Sequence, residues 1–198
     1  MCWWPDCLLK LTVACQQVIE FARCLPGFKD FQKEDRTLLL KGGVFQMALI
    51  RMSSFDGKGY AFYVQEYVAD SMFCSDTAAE RKLAAGISIL LRELASMSLT
   101  QTEVGLYAAV ALMCPNRDGL VDHSKIRRWR DLFWNSLMDE IRNTHPNYRF
   151  LPERLATCMN RLNCLAAQHI SVASQFQLLA PLIVPPLYKE LFVVNKEE

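Results

Sequence analysis

The sequence predicts an all-α domain, and three observations predict it. Apolar residues recur at helical spacing over most of the 198 residues. Two Thr-x-x-Glu segments, Thr77–Glu80 and Thr100–Glu103, stand just ahead of such patterns, and this capping-box spacing satisfies unpaired N–H groups at a helix start. Strand formers gather in one place only, Tyr60-Ala61-Phe62-Tyr63-Val64, after the Ser54–Gly59 turn cluster, so a small β-hairpin is the single expected exception. With 52% apolar and 22% charged residues, and with no repeat, linker or low-complexity tract, residues 1–198 read as one well-buried domain.

The elements follow in order. Residues 6–24 form a first helix with Leu8, Leu11, Cys15, Val18, Ile19 and Ala22 on one face, and Pro26-Gly27 ends it. A second helix runs from Lys33 to Ser53 and is apolar on most sides from Leu38 onward, which places it in the middle of a layered bundle. Gly42 and Gly43 would each weaken an exposed helix by up to ~1 kcal/mol relative to alanine, so a neighbouring helix is expected to approach closely there. The helix opened by Thr77 carries Leu83, Ile87, Leu90, Leu91 and Leu94. The one opened by Thr100 carries Val104, Tyr107, Val110, Ala111 and Cys114 before Pro115 and Gly119 break the chain. Ile126, Trp129, Phe133, Leu137 and Ile141 mark a long amphipathic helix, Pro146 and Pro152 bracket a loop, and residues 153–179 form the last long helix.

The terminal stretch, residues 185–193, is a short helix. Pro185-Pro186 presets its start, and Leu187 with Leu191 and Tyr188 with Phe192 form apolar pairs four residues apart, with Glu190 among them. Isolated helices need roughly 12–15 residues to be stable in water, so this one must lie against the body of the protein or against a partner. An ordinary core cap and a docked-or-undocked switch both fit the pattern.

Composition narrows the function. A net charge of +1 gives no electrostatic footprint for nucleic acid or an anionic membrane. No apolar run reaches a membrane span and the start lacks the order of a signal peptide, which points to a soluble intracellular protein. The eight cysteines, at positions 2, 7, 15, 24, 74, 114, 158 and 164, include no C-x-x-C pair and read as reduced core residues, with no metal site. No Ser/His/Asp order or phosphate loop is present, and His123, His145 and His169 lie in unrelated contexts, so an enzyme is not expected and no cofactor is implied.

Phe21-Ala22-Arg23-Cys24-Leu25-Pro26-Gly27-Phe28, followed by Asp35-Arg36-Thr37-Leu38-Leu39-Leu40-Lys41, resembles the signature segment of nuclear-receptor ligand-binding domains. Leu187 to Phe192 is similar to that family's activation helix. Within the family the chain most resembles the retinoid-related orphan receptors and their invertebrate, hormone receptor 3-like counterparts, over residues 4–192. The resemblance implies a three-layer antiparallel helical sandwich enclosing an apolar pocket, here lacking the helices that usually precede Trp4. It implies a nuclear transcription regulator whose surface groove receives LxxLL coactivator helices; the oligomeric state is left open, with a monomer favoured. DNA contact would come only through a zinc-finger domain absent from this chain. An interaction-only fragment that competes for coactivators, without DNA binding or ligand, is the other reading.

Carried over residue by residue, the coactivator groove would be built from Arg23, Arg36, Lys41, Leu187 and Glu190. Arg23 and Glu190 would clamp the ends of the partner helix, which carry unpaired C=O and N–H groups. The family usually has lysine in place of Arg23 and glutamine in place of Arg36. The pocket, for a sterol or other lipid, would be lined by Trp4, Cys7, Leu11, Phe45, Ala48, Arg51, Met52, Phe62, Tyr63, Phe73 and His169, although all but Arg51 suit a filled core as well. Arg51 needs acceptors, either a ligand hydroxyl or a carbonyl of the hairpin. Sterol-binding members carry a second arginine where this chain has Ser54. His169, Tyr188 and Phe192 match the positions that lock the terminal helix in its active pose.

Overall fold

The computed structural model describes residues 15–54, 77–146, 149–179 and 186–192, apart from the side chains of residues 176–179 and of Tyr188. The hairpin expected at residues 60–64 and the start of the first helix lie outside the described residues. Helix α1 covers residues 15–24, and α2 Lys33–Met52 follows a single 3-10 turn at Phe28–Asp30. The others are α3 Ala78–Ala95, α4 Gln101–Leu112, α5 His123–Thr144, α6 Leu151–Leu179 and α7 Pro186–Phe192. All the described regular structure is helical, as the spacing of apolar residues required.

Both capping boxes are complete. Thr77 Oγ1 accepts from the Glu80 N–H at 3.2 Å while the Glu80 carboxylate accepts from the Thr77 N–H at 3.3 Å, starting α3. Thr100 and Glu103 do the same for α4, at 3.2 and 2.7 Å. Glu103 is fully buried and also ends α5: its carboxylate accepts from the Thr144 hydroxyl and meets His145 Nε2 at 3.1 Å. Burial pushes this carboxyl up, but the hydrogen bonds from Thr144, the Thr100 backbone and His145, with the charge of His145, hold it below the usual carboxylate range.

Helix α2 is the hub. Every residue from Gly43 to Ile50 is buried, and the helix packs against α3, α4, α6 and α7, while α5 packs on α4 and α6 on α3. The core is one continuous cluster running from Cys15 of α1 to Phe192 of α7. Among the described cysteines Cys15 and Cys158 belong to this core, and burial pushes both thiols up to about 12. Cys24 and Cys164 are exposed, which corrects the expectation that the cysteines are core residues: each lies on the outer face of its helix. Among the described residues no helix is long and apolar enough to cross a membrane.

Three long-range contacts position the turn ahead of α2, its first turn and its middle. Pro26-Gly27 makes its turn with φ of 74° at Gly27, and a β-carbon there would stand 2.1 Å from the Trp129 ring, so both the backbone and the space require glycine. Asp35 is fully buried and its carboxylate accepts from the Val121 N–H at 2.7 Å and the Asp122 N–H at 3.1 Å. Asp122 in turn caps α5 by accepting from the Lys125 N–H at 3.0 Å.

The third tie is Arg117, from the loop between α4 and α5. Its guanidinium donates to the carbonyls of Leu39 and of Ala111, the latter at 3.0 Å, and reaches Leu38 O at 3.4 Å and Gln46 Oε1 at 3.5 Å. It lies directly on Gly42, where a β-carbon would stand 2.7 Å from Arg117 Nε; at Gly43 one would stand 3.0 Å from Leu112 Cδ1 and 3.1 Å from Arg117 Nη2. The close approach that the two glycines required is thus made mainly by an arginine side chain, with α4 contributing Leu112.

Candidate functional site

Helix α7 docks against α2 and α6. Phe192 is 4% exposed, and Leu187 and Leu191 are half-buried against the core. Fully burying a phenylalanine is worth roughly 1.5–3 kcal/mol, which a helix of seven residues needs because it cannot hold itself.

The contact is built around His169. The imidazole is buried in α6, stacks on Phe45 of α2 with ring centroids 4.0 Å apart and 13° between planes, and receives Phe192 edge-on at 4.8 Å and 90°. The geometry suits the ring quadrupoles, which favour stacked and edge-to-face pairs. One histidine therefore joins three helices. Gln46, the next residue on α2, reinforces the α2–α6 contact by donating to Asn163 Oδ1 at 2.6 Å.

Burial lowers the His169 pKa from 6.5 to about 3, because a charged imidazole would lose its hydration there. In the unfolded chain the ring protonates near 6.5, so between 6.5 and about 3 the unfolded state holds the extra proton. Stability conferred by neutral His169 is thus complete above 6.5 and declines on acidification, by up to ~1.4 kcal/mol per pH unit. We expect urea unfolding at about pH 5 and at pH 7 to differ by roughly 2 kcal/mol more in the wild type than in His169→Phe. Equal pH dependence in both proteins would refute the assignment.

The other groove residues occupy distinct settings. Arg36 is half-buried near the start of α2, and Lys41 is exposed one and a half turns on; Glu190 is exposed on α7. These three make no ion pair among the described residues. Arg23 is exposed at the end of α1 and donates to Glu20 at 2.9 Å, a surface pair three residues apart that contributes little to stability.

Of the candidate pocket residues, Phe45 and Ala48 are buried in α2 and Met52 is half-buried. Phe45 spends one ring face on His169. Arg51 is half-buried and its guanidinium makes no hydrogen bond to a described residue, while its carbonyl accepts from Ser54; with Phe21, Ser54, Gln101, Val104, Gly105 and Ala108 it lines a cleft of about 280 Å³ between α1, α2 and α4. Trp4, Cys7, Leu11, Phe62, Tyr63 and Phe73 lie outside the described residues, as does the Tyr188 side chain. Sequence reasoning missed Gln46, Asn163 and Arg117; the paired glycines were the one signal that could have led to the arginine.

Comparison with known proteins places this geometry in a family. The pattern described as "Ligand-binding domain of nuclear hormone receptor" matches residues 6–180. The chain is 31% identical over 201 residues to "Probable nuclear hormone receptor HR3" of Drosophila melanogaster, covering 98% of this chain and 41% of that protein. It is 28% identical over 195 residues to "Nuclear receptor ROR-beta" of Homo sapiens, covering 96% and 41%, and 27% identical over 205 residues to "Nuclear receptor ROR-alpha B" of Danio rerio, covering 98% and 42%. The chain thus spans about two-fifths of the length of the curated relatives it matches. With the signature segment on α1 and α2 and a docked terminal helix, this chain belongs to the family of nuclear hormone receptor ligand-binding domains.

Proposed function

We propose that this domain recruits LxxLL coactivator helices through the surface between α2 and α7 and so serves a nuclear transcription regulator. The observation that carries the reading is the seating of α7 on α2 and α6 through Phe192, His169 and Phe45. Leu187 and Leu191 supply apolar surface beside α2, Arg36 and Lys41 supply positive charge on that helix, and Glu190 supplies the opposite charge on α7. A two-turn partner helix ends in unpaired N–H groups at one pole and C=O groups at the other, and charges of opposite sign suit the two poles. Arg23 joins the positive end once it leaves its weak pair with Glu20.

The stacked Phe45 and His169 favour docking of α7 by side chains, without a lipid to complete the contact. A small lipophilic ligand, sterol or otherwise, then tunes the domain instead of switching it on, and DNA recognition belongs to a separate zinc-finger module. The test is titration of a labelled LxxLL peptide into the purified chain beside Arg36→Glu, Arg23→Glu and Glu190→Lys variants of matched folded content. Tenfold or greater loss in Glu190→Lys and in at least one arginine variant is expected. Unchanged affinity in all three would refute the proposal. Mass spectrometry of denatured protein reads the ligand question separately, since a stoichiometric lipid would refute docking by side chains alone.

A further inference from the structure

A second groove lies away from α7. Helices α5 and α6 both rest on α4: α5 packs along it, and Tyr107 of α4 donates its hydroxyl to Leu155 O of α6 at 2.8 Å. Between them is an open groove of about 310 Å³, floored by Val110 of α4, walled by Arg130, Asp131 and Trp134 of α5 and by Ala156, Met159 and Asn160 of α6. Its volume is at the small end of ligand pockets, about 300–1,000 Å³, and its openness to solvent would leave much of a lipid exposed. It suits one or two apolar side chains of a protein partner.

Charge says what kind of partner. Arg127, Arg130, Asp131 and Trp134 stand at the three- and four-residue spacing that puts them on one face of α5. Arg130 and Trp134 are half-buried and Arg127 is exposed. Between His123 and Trp134 the helix carries Lys125, Arg127, Arg128 and Arg130 against the single acid Asp131, and its first turn holds no acid. Lys125 is accounted for, since it donates to Asp30 O at 3.0 Å and lies over the Phe31 ring. Arg127, Arg128 and Arg130 form no ion pair among the described residues. Arginine and tryptophan beside an apolar floor are the residue types that dominate protein interfaces.

We infer that the α5–α6 groove is a second docking site, which takes an acidic amphipathic segment of another protein: a large apolar side chain seats between Trp134 and Met159, and flanking carboxylates meet Arg127 and Arg130. The exposed Asp131 on the same wall confines those carboxylates to the two arginines. This site is independent of the α7 surface and of the reading proposed for it.

The probe is a short helical peptide with a Leu-Phe stripe flanked by glutamates, titrated by fluorescence anisotropy against the whole chain at low and high salt. Its control carries lysine in place of each glutamate. Arg130→Glu should weaken binding of the acidic peptide at least tenfold, and Asn160→Glu, an exposed change on the opposite wall, should do likewise. Glu190→Lys should leave it unchanged, and added salt should weaken it. Absence of binding by the folded chain, equal binding of the lysine peptide, or affinity indifferent to both Arg130→Glu and Asn160→Glu would overturn the inference. So would loss of binding in Glu190→Lys alone, which would place the peptide on the α7 surface.

Discussion

Gly42→Ala will destabilise this protein although alanine is the better helix former. In an exposed helix the change gains up to ~1 kcal/mol. Here the new β-carbon would stand 2.7 Å from Arg117 Nε and 2.8 Å from its Cδ and Cζ, closer than heavy atoms tolerate. The guanidinium cannot simply retreat, because it holds the carbonyls of Leu39 and Ala111. Moving it leaves the Ala111 carbonyl, in the last turn of α4, without a donor, at about 1–3 kcal/mol, and takes from the Leu39 carbonyl a hydrogen bond additional to its intrahelical one. We expect a net loss of about 2–3 kcal/mol in urea unfolding. The decisive comparison is the same substitution in an Arg117→Met background. Methionine is flexible and makes no directional contacts there, so Gly42→Ala should become neutral or stabilising by up to ~1 kcal/mol. A coupling energy near zero in this double-mutant cycle would sink the account.

Phe192→Ala should release α7 while the remainder of the domain stays folded. Truncating a core phenylalanine typically costs about 3–5 kcal/mol, and α7, with seven residues, has no stability of its own to absorb the loss. Hydrogen exchange read by mass spectrometry should show residues 186–192 losing protection while α4 and α5 retain theirs. Two further effects are expected together. The LxxLL peptide should bind at least tenfold more weakly, and His169, newly solvated, should titrate close to its ordinary value of 6.5 in an NMR pH series. Protected α7 amides in Phe192→Ala would mean that other contacts hold the helix and that the aromatic cluster is incidental.

Much of the fold was legible in the sequence because its signals are local. The two capping boxes lie within four consecutive residues each, and the buried faces of α3 and α5 follow from spacing along one helix. The length and two apolar pairs of the terminal helix required it to lie against the body of the protein or a partner, without saying which. What joins the helices was not legible. Arg117 finds its acceptors on α2 across 78 and 79 residues of chain, and Gln46 meets Asn163 across 117; no pattern along the chain encodes such a meeting. The glycine pair was a true signal, but of a contact whose author, an arginine in a loop, has no periodicity to betray it. The candidate site divides in the same way. His169 and Phe192, which meet edge-on, were singled out through the family resemblance, whereas the stacking of Phe45 on His169 makes a residue expected at a cavity wall part of the dock for α7.

Glu103 has a consequence for the order in which the chain folds. One carboxylate closes the first turn of α4 and the last turn of α5, across only 41 and 42 residues, so these two helices gain or lose their ends together. Elements joined by short chain separations meet early, because little loop entropy opposes them. Loss of either helix end thus weakens the other, while α7, seven residues long and held through Phe192, is the helix with the least stability of its own.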